Sequence, residues 1–301
     1  MDTPAPPLIA GPVAHPRRPA EAPPAGAWDT HAHIFGPADR FPFATGRGYT
    51  PPDAPIERYL ALLDHLGLAH GVIVQGNAHG YDNRVVLDAL TRHPDRLRGV
   101  AITDTRVAPA ELRDWHRLGM RGLRFHLFSS AGKPKYVRGV GLDVFEVFRP
   151  VMRALNWVMQ VWCDWRLLPE VAAPLRAIAA ELPVVIDHML NIPAERSIAD
   201  FSFQALLRLV GDGHVHAKLS GAYRVSTQFP EYSDAQPFHQ ALLAANPERL
   251  IWGTDWPHPQ IDAAVMPDDG HLMDLFCRWT PDPAHRRRIL VETPTRLFAQ
   301  S

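Results

Sequence analysis

From residue 28 onward, short runs of β-branched and aromatic residues alternate with longer segments whose apolar residues recur at helical spacing. The runs that predict strands cover residues 28–35, 71–75, 97–102, 122–125, 158–163, 184–187, 215–219 and 250–253. The segments that predict helices cover residues 56–66, 83–91, 109–118, 144–155, 168–180, 203–210, 237–245 and 284–291. Nearly continuous apolar strands are typical of a parallel sheet that helices cover on both faces.

This alternation predicts an α/β fold, a single (β/α)8 TIM barrel. Eight strands alternating with about eight helices match that architecture. A doubly wound open sheet is the alternative. It has less support, because no glycine-rich phosphate loop follows the first predicted strand.

The first 27 residues differ from the rest of the chain. Residues 1–27 hold eight prolines and show no periodic apolar pattern, which predicts an extended arm, either packed on the body or disordered. No comparable change of composition follows. Residues 28–301 are therefore predicted to form one barrel domain, although 301 residues would also allow two domains.

Composition narrows the class of partner. The 31 basic and 32 acidic residues give a formal net charge of −1, so no basic field attracts nucleic acid or an anionic membrane. No apolar run is long enough to span a bilayer, and residues 1–27 lack the pattern of a signal peptide. Two cysteines make no disulfide framework. We expect a cytoplasmic protein that acts on a small molecule.

The barrel predicts that polar residues at the carboxyl ends of the strands meet at one mouth. Strand one carries His31 and His33, which alternation places on the same face. Strand six ends in Asp187 and His188, and Asp255 follows strand eight. An aspartate just past an apolar strand suits a general base or a metal ligand.

Two arginines are candidates for binding an anion. Arg124 stands between apolar residues of strand four, where it either pairs internally or grips a substrate carboxylate. Arg224 falls in the loop after strand seven and is the second candidate. Asn77, His79 and His258 also follow strands, and each could face the pocket.

Three motifs in this order resemble the amidohydrolase superfamily: Asp29-Thr-His31-Ala-His33, Val-Ile-Asp-His188 and Trp-Gly-Thr-Asp255-Trp-Pro-His-Pro. More narrowly, they resemble its group of sugar-acid and pyrone lactonases, which includes 2-pyrone-4,6-dicarboxylate lactonase. Flanking stretches such as His33-Ile-Phe-Gly-Pro extend the resemblance over about residues 28–298. The resemblance implies a barrel hydrolase that opens a carboxylated or sugar-acid lactone in catabolism.

The resemblance also implies roles for single residues. Asp255 would be the general base that activates water. Three histidines would surround and polarise the carbonyl: His31, His33 and His188. Three side chains would bind the carboxylate end of the substrate: Tyr49, Arg124 and Arg224.

The chain departs from the pattern of the pyrone enzymes at two places. Those enzymes have a second arginine soon after strand four, whereas this chain has none before Arg138. Lys133 or Lys135 could supply the missing charge. Trp162 stands where a tyrosine is expected. Both departures leave a dicarboxylate substrate in question.

The main alternative to metal-free hydrolysis is a reaction that uses a bound metal ion. His31, His33, His188 and Asp255 could together hold one divalent ion such as zinc. Strand five offers no further histidine ligand, and Arg124 in the site would repel a cation. The lactonases that the chain resembles work without metal. We therefore expect no cofactor.

Two other functions stay open at this stage. A metal-dependent decarboxylase of the amino-carboxymuconate type, a lyase, would need a tightly bound metal and an extra ligand that strand five lacks. A non-catalytic binding protein on a barrel scaffold is hard to reconcile with so many histidines and arginines at one mouth.

Overall fold

The protein is described by a computed structural model that covers residues 6–128 and 139–299. Its sheet has eight strands: β1 (Trp28–Ala32), β2 (His70–Val74), β3 (Leu97–Ala101), β4 (Met120–Leu127), β5 (Val158–Cys163), β6 (Val184–Ile186), β7 (His216–Leu219) and β8 (Leu250–Trp252). Each strand pairs in parallel with the next one along the chain. A parallel bridge between Ala32 and Trp256 brings the last strand back to the first. The predicted (β/α)8 barrel is confirmed.

Helices connect the strands. They are α1 (Ile56–Leu66), α2 (Arg84–Arg92), α3 (Pro109–Arg117), α4 (Leu142–Ala154), α5 (Leu168–Ala179), α6 (Phe201–Gly211), α7 (Ala222–Val225), α8 (Gln236–Ala245), α9 (Asp269–Trp279), α10 (Pro283–Arg287) and α11 (Thr293–Phe298). A π-helical turn, Arg288–Glu292, joins the last two. In the described part of the chain, no helix has the length and apolar character needed to cross a membrane.

Two helices depart from the sequence-based expectations. Arg224 lies in the short helix α7, not in a loop. The sequence pattern did not predict α9, because nearly all of its residues are buried and the helix therefore lacks a polar face. Its buried residues reach around the whole helix, from Asp269 to Trp279.

The interior of the barrel is layered. Alternation points Val158, Gln160 and Trp162 of β5 to one side, and Val185 of β6 points the same way as Asp187 after it. Valines on this side of the strands, among them Val158 and Val185, form a separate apolar cluster that also includes Phe298 of α11. A second, larger cluster packs the helices on the outside of the sheet. Polar groups thus lie above an apolar layer, towards the carboxyl ends of the strands.

The described part of the arm, residues 6–27, contacts the start of α9. The backbone N–H of Arg17 donates to Asp268 Oδ2 over 2.9 Å, and the Arg17 guanidinium lies 2.7 Å from His271 Nδ1. At Gly270, an added Cβ would come within 1.9 Å of the Arg17 carbonyl oxygen. Only glycine therefore allows the arm to approach this turn so closely.

Candidate active site

A pocket opens at the carboxyl ends of the strands. Its lining consists of His33, Tyr49, Asn77, Arg124, Trp162, His188, Arg224, Asp255, Pro259 and Gln260. His33 follows the last residue of β1, and His188 follows β6 by two residues. This is the face at which barrel enzymes carry their chemistry.

Asp255 stands at the centre of the site with its two oxygens facing different partners. Its Oδ1 lies 3.5 Å from His33 Nε2, 3.7 Å from His31 Nε2 and 3.9 Å from His188 Nε2. Its Oδ2 accepts hydrogen bonds from the Tyr223 hydroxyl over 2.6 Å and from Arg224 Nε over 2.7 Å. One oxygen is therefore fixed by donors, while the other faces the imidazoles.

The charge of Asp255 follows from these neighbours. Burial raises the pKa of this carboxyl, but the Arg224 guanidinium and the surrounding histidines outweigh burial and hold the pKa well below its usual range. Asp255 is therefore a carboxylate at neutral pH.

His31 presents a free N–H to the same site. Its Nδ1 lies 3.2 Å from Lys218 Nζ and 3.4 Å from Asp187 Oδ1. An ammonium group only donates, so the shorter contact makes Nδ1 an acceptor and leaves the ring proton on Nε2. That buried Nε2 has no hydrogen-bond partner among the described residues. Burial and the Lys218 charge lower the pKa of His31 well below its ordinary value, so the ring is neutral.

The other two histidines are oriented through their Nδ1 atoms. His33 Nδ1 lies 2.8 Å from the Val74 carbonyl oxygen, which can only accept, so this nitrogen carries a proton. His188 Nδ1 lies 2.9 Å from the Ser220 hydroxyl. Burial lowers the pKa of His188 to about 4, so this ring is also neutral at pH 7.

A buried ionic cluster lies beside His31. Asp187 Oδ2 accepts from Arg124 Nη2 over 3.0 Å and from Gln160 Nε2 over 3.1 Å, and Asp187 Oδ1 is 3.5 Å from Lys218 Nζ. Although burial raises the pKa of Asp187, the charges of Lys218 and Arg124 hold it well below its usual value. Burial lowers the pKa of Lys218 to about 8.

Of the two roles that the sequence left open for Arg124, the structure shows internal pairing, and binding of a substrate carboxylate stays a prediction. Arg124 pairs internally with Asp187, and it also lines the pocket with its guanidinium 4.9 Å from the centre of the Trp162 ring. The sequence alone places Asp187 at the mouth without a role, and it assigns neither Gln160 nor Lys218 a part in the chemistry. The available signal was alternation, which places Lys218 on the barrel side of β7.

Asp29 ties the first strand to the last. Its Oδ1 accepts from the backbone N–H of His31 over 3.0 Å and from that of Thr254 over 2.9 Å. Its Oδ2 accepts from the Thr254 hydroxyl over 2.6 Å. Burial raises the pKa of Asp29 to about 6. The bonds to Asp29 hold His31 and the segment leading to Asp255 in one register.

The sequence-predicted residues separate into two groups. Tyr49, Asn77, Arg124 and Arg224 line the pocket together with Asp255. His33 and His188 also line it, whereas His31 does not and lies 3.7 Å from Asp255 Oδ1. His79 and His258 do not line it either.

Both of these histidines are buried and hydrogen-bonded elsewhere. His79 Nδ1 lies 3.3 Å from the Pro42 carbonyl oxygen, while the ring nitrogens of His258 lie 3.0 Å from the Tyr223 hydroxyl and 3.1 Å from Asp269 Oδ1. His258 therefore stands behind the base, not against the substrate as the sequence suggested. Lys133, Lys135 and Arg138 lie outside the described residues.

The donor set around Asp255 is chemically suited to one divalent ion. Ligand atoms of His31, His33 and Asp255 lie within 4.8 Å of one another. The His33 bond to a backbone carbonyl is consistent with such a ligand, because metal-bound histidines commonly donate their other N–H in this way. His31 Nε2, which carries the ring proton in the arrangement above, would ligate a metal only without that proton.

Comparison with known proteins defines the class to which this fold and mouth belong. A family model described as amidohydrolase matches residues 28–300. The chain therefore belongs to the amidohydrolase family.

Two relatives match this chain over nine-tenths or more of their own length. The chain is 41% identical to a 4-sulfomuconolactone hydrolase from Rhizobium radiobacter over 279 residues, which cover 91% of this chain and 90% of the relative. It is 34% identical to a 2-pyrone-4,6-dicarboxylate hydrolase from Comamonas testosteroni over 294 residues, 95% of this chain and 94% of the relative. A crystal structure of a probable 2-pyrone-4,6-dicarboxylic acid hydrolase from Acinetobacter baumannii, with citric acid bound, is similar with a TM-score of 0.77 at 27% identity, covering 91% and 100% of the two chains.

Proposed function

We propose that this chain is a hydrolase that opens an anionic lactone by attack of water on the ring ester. The observation that carries this proposal is the position of Asp255 Oδ1, which faces three imidazoles at a pocket that two arginines also line. The names of the two relatives, both hydrolases of acidic lactones or pyrones, support the same reaction class.

In this mechanism the first step forms a bond between water and the lactone carbonyl carbon. Asp255 takes a proton from the water as the bond forms, and the carbonyl oxygen becomes an oxyanion. The donor that we assign to that oxyanion is the Nε2–H of His31, which lies 3.7 Å from Asp255 Oδ1 next to the pocket lining and has no hydrogen-bond partner in the described structure. The ring C–O bond then breaks, and the proton held by Asp255 passes to the leaving oxygen, which gives the open hydroxy acid or its keto form.

The low pKa of Asp255 shapes this chemistry. A carboxylate with a depressed pKa is a weak base, so the reaction needs a lactone with a strongly polarised carbonyl and a stabilised leaving oxygen. Lactones with an electron-withdrawing or unsaturated ring satisfy this condition because their enolate or stabilised alkoxide leaves easily.

Arg224 and Arg124 select the charge of the substrate. The Arg224 guanidinium is partly exposed at the pocket and bonds Asp255 through Nε, while its Nη2 lies 3.2 Å from the Pro259 carbonyl oxygen. Guanidinium groups bind carboxylate and sulfonate oxygens in the same planar, forked geometry. The substrate class is therefore a lactone that carries such an anionic group, with Tyr49 and Asn77 as further contacts.

We further propose that turnover does not require a metal. Three cations, Arg124, Lys218 and Arg224, already oppose two buried carboxylates, Asp187 and Asp255. Both carboxylates are therefore compensated with no further cation. A divalent ion held by His31, His33, His188 and Asp255 would supply Lewis-acid polarisation of the carbonyl.

Metal analysis of the purified protein, with turnover measured before and after chelation, tests this point. We expect kcat to be unchanged after chelation and to stay unchanged when zinc is added. Stoichiometric metal whose removal abolishes turnover would overturn metal independence.

The test of the reaction itself is a panel of lactones that carry a carboxylate or a sulfonate, each paired with its uncharged analogue. Hydrolysis releases a proton and yields a product heavier than the substrate by one water. We expect kcat/KM to favour the charged lactone and this preference to shrink in Arg224→Gln. Loss of carbon dioxide from a carboxylated acid, with no lactone opened, would instead favour the lyase.

A further inference from the structure

A chain of buried hydrogen bonds runs from Asp255 away from the pocket. The Tyr223 hydroxyl lies 2.6 Å from Asp255 Oδ2, and His258 Nδ1 lies 3.0 Å from the same hydroxyl. His258 Nε2 lies 3.1 Å from Oδ1 of Asp269, the first residue of α9. All four side chains are buried, and His258 and Asp269 are fully so.

The directions of the first two hydrogen bonds follow from the Tyr223 hydroxyl, which has one proton to donate. Burial and the nearby Asp255 charge raise the pKa of Tyr223 well above its ordinary value, so its hydroxyl keeps its proton and donates to Asp255. The Tyr223 oxygen is then free to accept from His258 Nδ1. On its other side, His258 Nε2 lies 3.1 Å from Asp269 Oδ1, so the imidazole links Tyr223 to Asp269.

The backbone at the same turn is held in an unfavourable conformation. Asp255 has φ 64° and His258 has φ 58°, both in the left-handed region that side chains other than glycine seldom adopt. The backbone N–H of His258 donates to the Asp255 carbonyl over 2.8 Å. Such a turn persists only where its surroundings fix it. The side-chain hydrogen bonds through Tyr223 and the backbone hydrogen bond therefore both fix Asp255 and His258.

We propose that Tyr223 and His258, anchored by Asp269, are positioning residues that hold Asp255 with Oδ2 occupied and Oδ1 turned to the substrate. This role rests on the proposed function, in which Asp255 is the base. None of the three residues lines the pocket, so each acts through Asp255 and not on the substrate.

Kinetics of two single variants and their combination test the proposal. Tyr223→Phe removes one hydroxyl, and His258→Asn breaks the link to Asp269 while keeping a residue that tolerates positive φ. We expect each to lower kcat by roughly 10- to 100-fold with little change in KM, since a misplaced base costs rate more than binding. The double variant should be no slower than the slower single variant, because both act on one oxygen.

Two other buried residues of the protein provide matched control variants. Tyr232 is a buried tyrosine whose hydroxyl has no partner in the described structure, and His239 is a buried histidine bonded to Thr280. Tyr232→Phe and His239→Asn should keep kcat within about twofold of the parent. If the controls lose as much kcat as Tyr223→Phe and His258→Asn do, the effect is general destabilisation and the proposal is wrong.

The anchor has its own comparison. Asp269→Asn keeps an acceptor oxygen for His258 Nε2, whereas Asp269→Leu removes it. We expect Asp269→Asn to recover most of the kcat that Asp269→Leu loses. Equal loss in both variants would contradict the anchoring role.

Two readouts separate this proposal from the proposed function. If Asp255→Asn loses turnover and Tyr223→Phe keeps it, Asp255 is the base and the positioning chain is wrong. If no lactone is opened by the parent protein, nitrogen-15 NMR of labelled histidine still tests the contacts of His258, which His258→Asn assigns. We expect the Nδ1 shift of His258 to change in Tyr223→Phe and its Nε2 shift to change in Asp269→Leu. Shifts that stay the same in both variants would overturn the proposal.

Discussion

Two requirements on the Asp255 side chain conflict. Its partners Tyr223 and Arg224 keep it ionised and fixed, while a base must accept a proton during the reaction. The geometry resolves this by dividing the carboxylate, because the fixing bonds reach Oδ2 and the imidazoles surround Oδ1. Similarly, Lys218 Nζ donates to His31 Nδ1, which leaves the proton of the neutral ring on Nε2 as a donor.

At this scale the first prediction concerns the base. Asp255→Asn keeps the size of the side chain and an oxygen for Tyr223, but it cannot take a proton from water. We expect kcat to fall by roughly 10²- to 10⁴-fold, the usual contribution of a general base, while a product acid still binds. Steady-state kinetics and calorimetric titration with the product measure the two quantities. A kcat near that of the parent would reject the base assignment.

At the scale of elements, the active site depends on how β8 meets β1. No ladder of strand pairs joins these two strands in the described structure beyond the bridge between Ala32 and Trp256, and single backbone and side-chain hydrogen bonds complete the contact. Asp29 binds Thr254 from across the gap, and the backbone N–H of Asp255 donates to the His31 carbonyl over 2.7 Å. The register of β1 against β8 therefore sets the distance between His31 and Asp255.

Gly253 is the residue that permits this approach. A Cβ at Gly253 would come within 2.7 Å of the His31 backbone nitrogen and 3.0 Å of Asp29 Oδ1. We expect Gly253→Ala to lower the free energy of unfolding by about 1–3 kcal/mol, as overpacking does, and to lower kcat by displacing His31. Denaturant unfolding and kinetics measure both effects.

Gly211→Ala in α6 is the matched control. Its Cβ would meet nothing nearer than the Ala245 carbonyl oxygen, at 3.9 Å. Because alanine favours a helix over glycine, this variant should be as stable as the parent or more so. A Gly253→Ala protein equal in stability to Gly211→Ala would show that the barrel closes without the close contact.

For the whole molecule, buried histidines set the response to acid. Burial lowers the pKa of His126, of His216 and of His239 to about 3 in each case. In the unfolded chain these rings take up protons near pH 6.5, whereas in the folded protein they stay neutral to a much lower pH. The unfolded state therefore binds more protons between these values, and stability falls as the pH falls through that window.

His239 gives the cleanest test because burial alone lowers its pKa. We expect the parent to lose about 2 kcal/mol more of its free energy of unfolding than His239→Asn does between pH 7 and pH 5. Asp29, whose raised pKa of about 6 works in the opposite direction, is the same in both proteins and cancels. Denaturant unfolding at several pH values measures the difference. Parallel stability curves would contradict it.

The sequence by itself determined the barrel and most of the residues at its mouth. Strands and helices are specified by local periodicity, and the carboxyl ends of parallel strands must meet at one edge, so the pattern placed His31, His33, His188 and Asp255 together in advance. Periodicity could not identify α9, since its residues are buried all round by contacts distant in sequence.

Only the tertiary structure decided which partner each polar group takes. Asp187 pairs with Arg124 from another strand, Lys218 contacts His31 across the barrel, and His258 points towards α9 and not into the pocket. Alternation gives the face of a strand to which a side chain points. It does not give the distances between side chains of different strands, and those distances fix protons and charges in a buried site.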